Sequence, residues 1–135
     1  MAWFLHFRRL EIASDMAHRI LVVDDDSTIV DLIKAVLADE GFAVTTALDG
    51  REALDGRSEG PPDLVVLDMF LPTMSGEEVA DALRAKYGPD LPILVTSASK
   101  VDVEAQALGA YENLPKPFDL EELLAAVRRG LAGRR

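Results

Sequence analysis

Ile20-Leu21-Val22-Val23-Asp24-Asp25-Asp26 is the stretch from which the fold can be read. Four apolar residues, mostly β-branched, form a run too short for a helix and suited to a strand buried on both faces. Three aspartates follow at once, and Asp24 to Ser27 offer helix N-cap chemistry. A helix is expected from there to about Glu40, with Ile29, Ile33, Val36 and Leu37 on one stripe and Gly41 as its stop.

The same unit recurs along the chain. Phe42 to Ala47 reads as a second strand, and Arg51 to Arg57 as a weaker helix ended by Gly60-Pro61-Pro62. Asp63 to Leu67 is the third strand, Met69 to Gly76 a loop, and Gly76 to Tyr87 a helix ended by Gly88-Pro89. Pro92 to Thr96 is the fourth strand and Val101 to Leu108 a short fourth helix. Tyr111 to Leu114 is the fifth strand and Phe118 to Leu131 the last helix, with Leu120, Leu123, Leu124, Val127 and Leu131 facing inward. Five alternating units with short links predict an α/β fold, a doubly wound five-stranded parallel sheet.

Composition narrows the function. The 135 residues hold 14 basic and 24 acidic side chains, a net charge of −10, with no cysteine and 49% hydrophobic residues. The length suits one domain with a proper core. The absence of cysteine excludes a disulfide framework, a thiolate zinc site and a thiol nucleophile. The acidity argues against a general nucleic-acid binder, and no apolar run is long enough to span a membrane. The charge is uneven: residues 1–19 carry three arginines against two acids, and the other 116 residues carry the whole excess of acid. Arg128, Arg129, Arg134 and Arg135 suit the end of a helix, where cations complement the macrodipole.

In open α/β sheets, sites form at the carboxyl ends of the strands. Asp24, Asp25 and Asp26 follow strand one, Asp68 strand three, Ser97 strand four, and Lys116 strand five. Each alone has an ordinary reading as a helix cap, turn residue or solvated surface group. Together they put carboxylates, a hydroxyl and an ammonium on one edge, where the acids repel one another unless a cation sits among them. Carboxylate oxygens suit Mg²⁺. A strand-end aspartate can attack phosphorus, and Lys and Ser can hold the transferred oxygens.

Four motifs carry a resemblance to a known family: Ile20-Leu-Val-Val-Asp-Asp-Asp26, Val65-Val-Leu-Asp-Met-Phe-Leu-Pro72 with Gly76, Pro92-Ile-Leu-Val-Thr-Ser-Ala98, and Lys116-Pro-Phe118. In this order and near this spacing they resemble the receiver domain of two-component response regulators, over about Arg19 to Leu131. The resemblance implies a flavodoxin-like fold with strand order 2-1-3-4-5, and a cytoplasmic phosphorelay switch rather than a turnover enzyme. It implies Asp68 as phosphoacceptor, and Mg²⁺ held by Asp24, Asp25, Asp68 and the backbone carbonyl of Phe70. It implies Ser97 as switch hydroxyl, Lys116 as its cationic partner, and a cis Lys116–Pro117 peptide. A histidine kinase or phosphotransfer protein would donate the phosphoryl group. The face of the fourth helix, fifth strand and last helix would then meet an output protein or a second copy, with no direct nucleic-acid contact.

The sequence departs from that family in places. Asn113 stands where an aromatic switch residue is usual, and only 19 positions separate Ser97 from Lys116, which shortens the fourth helix. Pro115 removes a backbone donor before Lys116. Phe70 and Ser99 flank the path of attacking water, and Ser75 replaces an acid before Gly76. Two other readings stand. One is a phosphorylation-independent module on the same fold, favoured by Asn113 and the short helix. The other is a haloacid-dehalogenase-type phosphatase, because Asp24-Asp-Asp26-Ser-Thr28 fits its D-x-D-x-T opening, with Asp24 as nucleophile and Asp26 as general acid.

The domain is expected over residues 19–135, closing as a stand-alone receiver, with residues 1–18 an extension of open role. Trp3, Phe4, Phe7 and Leu10 are spaced for one helix face, with Arg8 and Arg9 between. An upstream start, a docking helix or dimer arm, and an interfacial anchor all fit that pattern. His6 and His18 are isolated and receive no role.

Overall fold

The strand that opens the sequence argument is β1 (Arg19–Val23) in a computed structural model that describes residues 18–55, 60–98 and 108–133. The described elements continue as α1 (Ser27–Asp39), β2 (Ala43–Ala47), α2 (Gly50–Leu54), β3 (Leu64–Asp68), α3 (Gly76–Tyr87), β4 (Ile93–Ser97), β5 (Glu112–Pro115) and α4 (Leu120–Ala132). All strand pairs are parallel, in the order β2-β1-β3-β4-β5. This is the flavodoxin-like order expected. The readings placed on residues 1–17, on the fourth helix at 101–107 and on Ser99 lie outside the described residues, as do residues 56–59 at the end of the expected second helix.

Two-residue alternation divides the core. Leu21 and Val23 of β1, Val65 and Leu67 of β3, and Ile93 and Val95 of β4 pack on one face with Ala53, Val79, Ala80 and Leu83 from α2 and α3. Ile20, Val22, Leu64, Val66 and Leu94 pack on the other, against Val30, Ile33 and Leu37 of α1 and Leu123, Ala126, Val127 and Leu131 of α4. The central strands are therefore apolar on both faces, and truncating a leucine such as Leu64 would cost ~2–5 kcal/mol. Of the expected α1 stripe, Ile33 and Leu37 are buried, while Val30 takes the inward place and Ile29 and Val36 are half-buried. In α4, Leu120 and Leu124 are only half-buried and Ala126 is inward.

Strand ends differ from expectation by about one residue, for a backbone reason. β3 and β4 run through Asp68 and Ser97 themselves. Beyond them the Met69 N–H donates to Thr96 O at 2.9 Å and the Lys116 N–H to Ser97 O at 2.7 Å. These bonds do not require apolar side chains, so the ladder outlasts the hydrophobic run. β5 starts one residue later than expected and takes in Pro115, which an edge strand tolerates. α4 starts at Leu120 rather than Phe118, because Asp119 is its N-cap. Gly41 (φ 97°) and Gly88 (φ 116°) supply the left-handed backbone that ends α1 and α3.

Candidate functional site

Register brings the site together. Val23 pairs with Leu67, Asp68 with Thr96, and Ser97 with Pro115. Asp24, Asp68, Ser97 and Lys116 therefore leave four neighbouring strands at one edge. Asp24 and Asp68 are almost sealed, at 2% and 5% exposure, and Ser97 and Thr96 are buried beside them. Asp25 is exposed at the rim. The carboxylates of Asp24, Asp25 and Asp68 each place an oxygen within 4.8 Å of the others.

The hydrogen bonds give each carboxylate a distinct setting. Asp24 Oδ1 accepts from the Asp26 N–H at 2.9 Å, and Asp24 Oδ2 accepts from Lys116 Nζ at 2.8 Å. Lys116 Nζ lies 3.5 Å from Asp68 Oδ2. Asp68 Oδ1 accepts from the Phe70 N–H at 3.3 Å. Lys116 follows the edge strand β5 and joins a cis peptide to Pro117.

Charge and burial set the protonation tendencies. Burial pushes the Asp68 carboxyl up, and the Asp24 charge adds to it; Lys116 and the Phe70 N–H offset them only in part. Burial works to lower the Lys116 ammonium, but its hydrogen bond to Asp24 and the Asp68 charge outweigh that and hold its pKa above the usual value. Three carboxylates share one ammonium, so the cluster keeps an excess of negative charge. Its all-oxygen donor set fits a hard divalent cation such as Mg²⁺.

Not every strand-end acid belongs to the site. Asp26 caps α1, its Oδ1 accepting from the Thr28 and Ile29 N–H groups at 3.0 and 3.3 Å. The ordinary cap reading holds for this residue. Phe70 is 54% exposed, and it pairs across the loop with Ser75 in an isolated antiparallel bridge.

Some supporting groups escaped the sequence reading. Ser75 N–H donates to Glu78 Oε1 at 3.2 Å while Glu78 N–H donates to Ser75 Oγ at 3.1 Å, a reciprocal cap that fixes the loop's exit. The signal was present as Ser75-x-x-Glu78. Arg84 donates to the carbonyls of Leu108 and Gly109, tying α3 to the approach to β5. No short motif marks that contact.

Comparison with known proteins agrees with this geometry. The response regulator receiver domain family matches residues 20–128. Response regulator MprA of Mycolicibacterium vanbaalenii is 48% identical over 116 residues, 84% of this chain and 50% of that one. The chain thus spans about half the length of the curated relatives it matches. The chemotaxis protein CheY4 of Vibrio cholerae superposes with a TM-score of 0.79 at 34% identity, over 85% of this chain and 99% of that one. Response regulator TrrA of Thermotoga maritima, solved in complex with Mg²⁺ and BeF, gives a TM-score of 0.72 at 39% identity, over 84% of this chain and 99% of that one. With the family covering most of the chain, five strands in the flavodoxin-like order and an acidic cluster at their carboxyl edge, the protein belongs to the response regulator receiver domain family.

Proposed function

We propose that the chain is a phosphorylation-activated switch with Asp68 as phosphoacceptor. The observation that carries the reading is the convergence of Asp24, Asp25 and Asp68 with Lys116, in a pocket whose negative charge is only partly met. Asp24, Asp25, Asp68 and the Phe70 carbonyl would hold Mg²⁺, which supplies charge neutralisation for the incoming phosphoryl oxygens.

The chain's own groups account for the transfer. An Asp68 carboxylate oxygen attacks phosphorus in line, the bond from phosphorus to the donor breaks, and the electron pair leaves with the donor. Lys116 is close enough to Asp68 Oδ2 to hold a phosphoryl oxygen placed there. To do so it gives up part of its contact with Asp24. Ser97, at the buried end of β4, supplies the second hydrogen bond to the phosphoryl group. These contacts exist only in the phosphorylated state, so they bias a two-state equilibrium. A nearly complete shift needs ~5.5 kcal/mol, and charge-assisted hydrogen bonds of ~1.5–3 kcal/mol each can supply much of it.

The donor is a histidine kinase or phosphotransfer protein, and the protein acts in the cytoplasm. Among the described residues, no helix is long and apolar enough to cross a membrane. An apolar groove of about 920 Å³ beside Lys116, lined by Ile29, Leu32, Pro117, Phe118 and Leu120, gives a protein donor a surface to rest on. Output passes through the face that includes β5 and α4, to a partner protein or a second copy. Chemistry beyond self-phosphorylation and slow self-dephosphorylation is not expected, and the helix-capping bonds of Asp26 Oδ1 weigh against the phosphatase alternative, which needs Asp26 as general acid.

The phosphorylation-independent reading rests on Asn113 in β5, where an aromatic switch residue is usual, and on the short Ser97–Lys116 spacing. Labelling with acetyl phosphate separates the two. A switch takes up one phosphoryl group on Asp68 only with Mg²⁺, and Asp68→Asn loses it. No uptake from acetyl phosphate or from a phosphorylated donor protein would leave the interaction module as the better account.

A further inference from the structure

Gly50 opens α2, in a different strand–helix unit from Asp68, and has no part in the chemistry above. Its backbone does not require glycine, since its φ is not positive. Helix propensity gives no reason for glycine there either. Space is what it provides. A Cβ on Gly50 would lie 2.6 Å from Val79 Cγ2 and 2.9 Å from Met74 Sδ. The Met74 sulfur could swing aside and Met74 Cβ, 3.2 Å away, would have to yield only slightly, but Val79 is fully buried and β-branched, so it cannot turn away without moving α3.

The next helix repeats the arrangement. A Cβ on Gly76 would lie 3.0 Å from Met69 O and 3.3 Å from Met69 Cα, backbone atoms of the residue after Asp68. Ser75, one residue earlier, is bridged to Phe70, whose N–H donates to Asp68. Contact therefore runs from Gly50 through Val79 and Met74 to Ser75 and Gly76, then to the Met69–Phe70 backbone. The loop also borders a cavity of about 500 Å³, lined by Phe70, Pro72, Met74 and Leu108 among others. Pressure from Gly50 would meet open space on that side.

We propose that Gly50 is a positioning residue for the Asp68 site. Its missing side chain lets the start of α3 seat deeply enough to fix the Phe70 N–H and carbonyl beside the phosphoacceptor. The inference rests on the proposed function for its metal readout alone; its backbone readout stands apart from it.

The test compares the full chain with Gly50→Ala, Val79→Ala, the double variant and Met74→Ala, by ¹⁵N amide spectra without metal and by Mg²⁺ titration. Gly50→Ala is expected to shift the Met69, Phe70 and Ser75 amides and weaken Mg²⁺ binding roughly tenfold, the low end for disturbing a ligand's support. The double variant should return both readouts most of the way to those of Val79→Ala, because the tightest contact, with Val79 Cγ2, is gone. Met74→Ala, on a half-buried loop side chain, should shift the same amides even if Gly50→Ala does not fold. The proposal is overturned if Gly50→Ala keeps wild-type amides and affinity while losing only thermal stability, or if the double variant restores neither. It is also overturned if Gly50→Ala fails to fold and the Met74→Ala amides at Met69 and Phe70 are unchanged. A wild-type chain that binds no Mg²⁺ would sink the metal reading, and the amide shifts would then decide the role of Gly50 by themselves.

Discussion

The end of β3 and the end of β5 reach the same pocket but are held differently. β3 is buried along its whole length between two strands, and Asp68 is still inside its ladder. β5 is a four-residue edge strand, mostly half-buried, and Lys116 lies just past its end with 19% of its side chain exposed. The anchors of β5 are peripheral: Tyr111 OH donates to Ala126 O at 2.7 Å, and Arg129 donates to the Glu112 carboxylate at 2.9 and 2.7 Å. The acid side of the site is thus built into the core, and the cation side hangs on the sheet's margin. The proposed switch would need both, one side fixed enough to define the reaction and one able to exchange partners. Lys116, shared between Asp24 at 2.8 Å and Asp68 at 3.5 Å, is the group placed to exchange.

Asp68→Asn should break the fixed side most severely. Phosphoryl uptake, followed by intact-protein mass spectrometry, should vanish. The metal-free protein should nevertheless become more stable at pH 7, by ~1 kcal/mol, the size of an ordinary mutational effect. The sign follows from linkage. Asp68 is raised above 3.8 in the fold, so its favourable, protonated contribution is present below that value and lost as pH rises through the folded pKa. Denaturant unfolding of the variant should therefore lose part of the stability decrease seen between acid and neutral pH.

Lys116→Ala attacks the other side. It leaves the carboxylates without their ammonium, at a cost of ~2 kcal/mol, below the range for a fully buried pair because Lys116 is 19% exposed. Its urea midpoint should fall in metal-free buffer. Added Mg²⁺ should restore more stability to this variant than to wild type. In wild type, Mg²⁺ at ten times its Kd should add ~1.4 kcal/mol, read as a rise in Tm; no rise would mean that the three carboxylates do not act as a metal site.

Tyr111→Phe is the mildest change, removing one hydrogen bond worth ~1 kcal/mol. Burial, then the Glu112 charge, push the Tyr111 phenol well above 10, with Arg129 opposing. The neutral phenol's contribution is present below pH 10 and lost as pH rises beyond it. Wild type should lose stability there, and Tyr111→Phe should lose less. Equal alkaline profiles would show that the anchor of β5 lies elsewhere.

The legible and the hidden residues differ in kind. Asp24, Asp68 and Ser97 each sit at or just past a short apolar run, and Lys116 just past a shorter, more polar strand, so the parallel-sheet rule places them together without knowledge of packing. The partner choice of Lys116 was not readable, because Asp24 and Asp68 are equivalent in the pattern and only register and distance separate them. Asp26 follows Asp25 directly in the same acidic run, yet its carboxylate turns to the α1 amides. Val30 replaced Ile29 on the buried stripe of α1, because the helix's rotation is set by the sheet it packs on. The role of Gly50 depends on a contact with Val79, 29 positions away, which no local pattern contains.

The exchange of Lys116 can be seen directly in a crystal structure of this chain with Mg²⁺ and beryllofluoride, a phosphoryl mimic. The account predicts the mimic on Asp68, Mg²⁺ among Asp24, Asp25, Asp68 and the Phe70 carbonyl, and Lys116 Nζ moved from Asp24 to a fluorine. The acid-side backbone should stay in place. A mimic on Asp68 with Lys116 still on Asp24, or no mimic on Asp68 at all, would contradict it.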